Sequence, residues 1–148
     1  MRWTPKASAA ALLLLLTACP SLPGPVAQLE RYKQWEGAGK PDAIEAEQPD
    51  SDCRTATSDV CGQIFAIRAR ACLTLARGAA AGDAACPPPG EATARRLSCA
   101  AEGYDRARAG SGWTAAQLAD FGENRARALY CSAKLQGPEE RVRLDREA

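Results

Sequence analysis

The chain has 148 residues, with 19 Lys and Arg against 18 Asp and Glu, and no histidine. Near-neutral charge excludes the basic footprint of a nucleic-acid binder. The missing imidazole excludes Ser-His-Asp and Cys-His catalysis and His-ligated metal or haem. No Gly-rich phosphate loop or Ser-x-x-Lys motif is present either, so the expectation is a non-enzyme without cofactor or metal.

Arg2 and Lys6 form a short positive stretch, and Ala7 to Leu16 an apolar run of the length a secretory signal needs. It is too short for a transmembrane helix, which takes about 20 apolar residues. The small residues Thr17 and Ala18 then lead into Cys19. Leu16-Thr17-Ala18-Cys19 resembles the lipobox of bacterial lipoproteins. That resemblance implies a signal peptide over 1–18, removed after Ala18, with acyl chains such as palmitate carried on Cys19. Each buried methylene adds about 0.8 kcal/mol, and stable attachment takes more than one chain, which a di- or triacylated cysteine provides. Pro20 stands where an inner-membrane retention signal usually has Asp. By resemblance this implies an outer-membrane anchor facing the periplasm, with exposure on the cell surface as the other option.

Residues 19–57 read as anchor, Pro-rich tether and short helices, with eight acids against four bases over 20–59. Ser21 to Pro25 suits an extended tether. Pro25 is placed to open a helix over Val26–Glu36, with Val26, Leu29 and Tyr32 on one face. Gly37-Ala38-Gly39 stops it. A short helix is expected over Asp42–Glu47 behind Pro41, and Gln48 to Asp52 breaks the pattern. This part is either a loosely docked linker or the opening helix pair of the domain.

Residues 58–137 form the expected helical domain. Ser58 or Asp59 caps a helix through Arg77, on which Val60, Ile64, Ile67, Ala71 and Leu75 make an apolar stripe. Gly78 ends it, and Pro87-Pro88-Pro89 cannot continue it. A second long helix starts at Glu91 with a stripe of Leu97, Ala100, Ala101, Tyr104 and Ala107. The third opens on a capping box, Thr114 to Gln117, with Trp113 and Leu118 as its hydrophobic staple. Leu118, Phe121, Ala128, Leu129 and Leu135 are assigned to the core, and Gly137-Pro138 closes the helix. Residues 138–148 form a charged tail in which Val142 and Leu144 are the only docking candidates. Residues 60–148 hold ten acids and 13 bases, nearly all arginine. Such arginines are either a solvated helix face or a recognition surface for carboxylate or phosphate.

No segment alternates apolar and polar residues over a strand's length. The fold class is therefore all-α: an antiparallel helical hairpin stack around a small three-helix core, stapled by disulfides. Tyr104, Tyr130, Trp113, Phe65 and Phe121 are expected to supply much of the apolar volume. The turn Trp35-Glu36-Gly37-Ala38-Gly39-Lys40-Pro41-Asp42-Ala43-Ile44, and the recurring Arg68-Ala69-Arg70-Ala71 and Arg125-Ala126-Arg127-Ala128, resemble tetratricopeptide and Sel1-type helical repeats. No 34-residue period runs through the chain. The resemblance implies a surface that binds protein segments and carries no catalytic residue.

With Cys19 assigned to lipid, six cysteines remain: Cys53, Cys61, Cys72, Cys86, Cys99 and Cys131. An even set in a small exported domain reads as three disulfides rather than a metal cluster, since no Cys-x-x-Cys pair exists. Helix rise narrows the 15 connectivities. Cys53 and Cys61 share the lower end of the first long helix. Cys72 and Cys99 lie about 7 and 12 Å below the Pro-rich loop at 1.5 Å per residue. Cys86, within that loop, is placed to reach Cys131. The expected pairs are Cys53–Cys61, Cys72–Cys99 and Cys86–Cys131, with Cys72–Cys86 and Cys99–Cys131 as the rival arrangement.

The leading expectation is a lipid-anchored, non-enzymatic periplasmic protein that binds another cell-envelope protein as an accessory or assembly factor. The alternative is an immunity lipoprotein that neutralises a delivered periplasmic toxin, its partner then a secreted effector. An enzyme or small-ligand binder would need convergent acids, with Glu102, Asp105, Asp120 and Glu123 as candidates.

Overall fold

The computed structural model describes residues 24–55, 57–78 and 86–136. The expected signal peptide, the lipobox-like stretch with Cys19, most of the expected tether, Gly137-Pro138 and the tail with Val142 and Leu144 lie outside the described residues. Among those described there are five α-helices: α1 Gly24–Gly37, α2 Pro41–Ala46, α3 Asp59–Arg77, α4 Glu91–Arg108 and α5 Ala115–Leu135. A 3-10 turn, Ser51–Arg54, lies between α2 and α3. There is no strand among these residues, and no helix is long and apolar enough to cross a membrane.

Helix α1 starts at Gly24, so Gly24 and Pro25 belong to the helix and not to the tether. Pro25 sits in the first turn, where its missing N–H leaves no partner unmet. Leu29, Tyr32 and, on α2, Ile44 are almost completely buried. Helices α1 and α2 thus form the opening pair of the domain, packed on α3, rather than a loose linker. The core extends beyond the expected three helices for that reason.

Helix α3 is the hub. Ser58 Oγ accepts from Cys61 N at 3.3 Å at its start, and Gly78 N donates to Thr74 O at 3.0 Å at its end. The expected stripe is only part of its buried surface: Ile64, Ile67 and Ala71 are buried, whereas Val60 and Leu75 are half-buried. Phe65, Ala66, Ala69, Cys72, Leu73 and Ala76 are buried as well. With α4 on one side and α1 and α2 on another, the helix has apolar contacts well beyond one face.

Small residues set how closely α3 and α4 approach. A Cβ on Gly103 would stand 2.9 Å from Ala69 Cβ and 3.2 Å from Phe65 O. Near the other end of the interface Gly62 and Gly110 meet backbone to backbone, a Cβ on Gly110 falling 3.1 Å from Gly62 Cα. The α4 stripe from Leu97 to Ala107 is buried throughout.

The capping box at α5 is present in both directions: Gln117 N donates to Thr114 Oγ1 at 3.2 Å, and Thr114 N donates to Gln117 Oε1 at 2.9 Å. Leu118 departs from the expectation by being 36% exposed. Trp113 instead meets Phe121 edge-on, ring centroids 4.8 Å apart, and donates from Nε1 to Ala107 O at 2.7 Å. Leu129 and Tyr130 are 45% and 56% exposed and do not supply core volume. The reason is that, among the described elements, α5 packs substantially on α4 alone. At about 100° per residue, Leu129 lies about 80° and Tyr130 about 180° round the helix from buried Phe121.

Three disulfides staple this arrangement, joining Cys53–Cys61, Cys72–Cys99 and Cys86–Cys131 at Cα separations of 5.2, 6.0 and 5.3 Å. Three such bonds in a small domain fit an oxidising compartment outside the cytoplasm.

Candidate functional site

The lower edge of the α1–α2 pair is held by a polar network. Gln28, on α1, is 2% exposed. Its Nε2 donates to Gln48 O at 2.7 Å and Glu47 Oε1 at 3.1 Å, and its Oε1 accepts from Asp50 N at 2.8 Å. Tyr32 donates its hydroxyl to Glu47 O at 2.8 Å, and burial pushes its pKa up to about 12. Together these bonds anchor the 47–50 segment, of which sequence reasoning placed Glu47 in the short helix, here ending at Ala46, and treated 48–50 only as a break in the pattern. Gln28 was missed because its partners lie far along the chain and periodicity registers only apolar residues.

Ion pairs tie the helices at the surface. Arg96 of α4 engages Glu45 of α2 through Nε and Nη2 at 3.0 Å each, which raises the Arg96 pKa. Arg31 pairs with Glu47, and that hydrogen bond raises its pKa likewise. Arg70 of α3 pairs with Glu36 of α1 at 2.9 Å. Glu47 Oε2 and Arg68 Nε are buried without a hydrogen-bond partner.

Two open surfaces follow from this packing. A groove of about 630 Å³ runs between α1, α3 and the start of α5. Ile67, Trp113 and Phe121 line its apolar part, and Lys33, Arg70 and Asp120 its charged part. On the far side, the α4–α5 seam holds the Arg125–Asp105 pair at 3.1 Å beside half-exposed Leu129.

The four candidate acids do not converge. Glu102 pairs with Arg106 at 3.6 Å, Asp105 with Arg125, and Glu123 with Arg127 at 3.3 Å. Asp120 accepts from Asn124 Nδ2 at 3.0 Å in the other groove. Among the described residues no group of three Cys, Asp or Glu is arranged to hold a metal ion. The disulfide cysteines act as staples at three heights of the bundle, and Cys19 lies outside the described residues.

Comparison with protein-family models, curated proteins and solved structures returns no match.

Proposed function

We propose that the protein is a lipid-anchored, non-enzymatic envelope protein, held at the outer membrane through Cys19, whose helical domain binds another envelope protein. The anchor rests on the order of basic start, apolar run and Leu16-Thr17-Ala18-Cys19. The observation that carries the binding role is α5. It is covered substantially by α4 alone and leaves Leu118, Leu129 and Tyr130 exposed. Aromatic residues such as tyrosine are enriched in interface cores, and an exposed ring supplies contact area at low entropic cost.

The test is chemical cross-linking in intact cells, followed by capture of the lipidated protein from solubilised membranes. One defined envelope protein should be recovered, and Leu129→Ser with Tyr130→Ser should lose it while the disulfides remain intact. Recovery of that protein undiminished by both substitutions would remove α5 as the binding surface. Absence of any specific partner would remove the role.

A further inference from the structure

A second cleft, of about 300 Å³, lies where the 48–54 segment meets α3 and α4. Its lining carries three guanidinium groups, Arg54, Arg68 and Arg106, against one carboxylate, Glu102. Phe65 and Gly103 complete the wall between the two helices.

The positive charge is not balanced within the fold. Arg68 makes no ion pair with a described residue; it has 3.4 Å contacts from Nη1 to Cys99 Sγ and from Nη2 to Glu45 O, and its guanidinium interacts with the buried Tyr32 hydroxyl. Its Nε is buried and unbonded. Glu45, whose backbone carbonyl Arg68 approaches, gives its carboxylate to Arg96, and Glu47 Oε1 is taken by Arg31 and Gln28. Arg54, at the end of the 3-10 turn, is exposed and has no ion pair among the described residues. Arg106 stands 5.0 Å above the Phe65 ring, a cation–π contact that helps hold its guanidinium in place. Its pair with Glu102 is long, at 3.6 Å, and the Glu102 side chain is 70% exposed, so the pair is weak.

We propose that Arg54, Arg68 and Arg106 form an oxyanion-binding site, in which an incoming carboxylate or phosphate supplies the counter-charge the fold omits. Planar guanidinium forks match both groups bidentately. A partly desolvated charge without a partner is costly, and an arriving anion relieves that cost. The volume is at the lower end for a ligand pocket, which suits a small diacid, a phosphate or one acidic side chain.

Calorimetric titration of the full-length oxidised protein at low salt tests this, with succinate, inorganic phosphate and acetyl-Ala-Glu-Ala-amide as probes. At least one should bind saturably at one site. Arg54→Gln and Arg106→Gln should each weaken that binding at least tenfold, about 1.4 kcal/mol. Arg127→Gln, on α5, should leave it unchanged. Arg68→Gln should behave like the first two, and the more exposed pair decides the matter if it fails to fold. Binding of succinate and the peptide without phosphate assigns a carboxylate source, and phosphate alone assigns a phosphate source. No saturable binding below about 10 mM, which is under 3 kcal/mol of affinity, overturns the site. So does an equal loss in Arg127→Gln.

Discussion

Gly103→Ala and Gly122→Ala make the same chemical change on two helices and are expected to move stability in opposite directions. In a helix interior alanine is favoured over glycine by about 0.8–1 kcal/mol. Nothing lies within 4 Å of a Cβ on Gly122, so there the gain stands and the protein should be stabilised by about 0.5–1 kcal/mol. At Gly103 the new methyl meets Ala69 Cβ at 2.9 Å, Phe65 O at 3.2 Å and Ala69 Cα at 3.3 Å. Two of these are backbone atoms, and ordinary carbon contact needs about 3.5–4.0 Å, so the axes of α3 and α4 must part locally. The Cys72–Cys99 bond, one turn earlier on α4, resists that parting. Overpacking of this kind costs about 1–3 kcal/mol. Set against the propensity gain, the net expectation is a loss of up to about 2 kcal/mol. Urea unfolding of the oxidised proteins reads both changes as shifts in midpoint at constant slope. Ala69→Gly should cost less in the Gly103→Ala background than in the parent, because there it also removes the nearest clashing atom. A Gly103→Ala protein stabilised as much as Gly122→Ala would refute the close α3–α4 contact and the account of small residues built on it.

Cys19→Ser should abolish incorporation of labelled palmitate and leave the signal peptide uncleaved; continued labelling would refute the anchor. For the staples, chain-entropy scaling ranks the sequence separations of 8, 27 and 45 residues at about 2.5, 3.5 and 4 kcal/mol. Replacing Cys86 and Cys131 by Ser should therefore lower stability most and replacing Cys53 and Cys61 least, as read by urea unfolding; the reverse order would show that strain or residual structure dominates. Burial pushes Tyr104, like Tyr32, up to about 12. A folded-state pKa raised above the ordinary 10 means the stabilisation is complete below pH 10 and is lost as pH rises toward 12. Absorbance at 295 nm should show these two tyrosines ionising only near pH 12, and Tyr32→Phe with Tyr104→Phe should delete that step.

Local chemistry was the legible part of the sequence. Ser58 and the Thr114–Gln117 box mark helix starts because a cap needs only its own next few residues. The α4 stripe from Leu97 to Ala107 is buried because one neighbouring face suffices for it. Helix rise brings Cys72 and Cys99 to within a turn of one level, and the structure bonds them. What depends on neighbours was not legible. Gln28 gives no apolar signal and finds its partners, Gln48 O and Asp50 N, at least 20 residues away. Leu118 and Leu129 resemble core residues until it is known that, among the described elements, α5 packs substantially on α4 alone. Arg68 and Arg70 look alike in the sequence. Yet one lines a cleft with no carboxylate partner while the other meets Glu36.

The order of the bonded cysteines also sets how far the domain can be stretched. Cys86 falls between Cys72 and Cys99, so the loop closed by Cys86–Cys131 interlocks with the loop closed by Cys72–Cys99. From Cys53 to Cys131 the shortest covalent route crosses to Cys61, runs along α3 to Cys72, continues to Cys86 and crosses to Cys131. That route holds about 25 residues where the backbone holds about 78, or roughly 90 Å of extended chain against roughly 270 Å. A pull applied between Cys53 and α5 therefore meets its covalent limit at about a third of the length the backbone alone would allow. Reduction of the disulfides would about triple that reach, a difference that single-molecule extension measures directly.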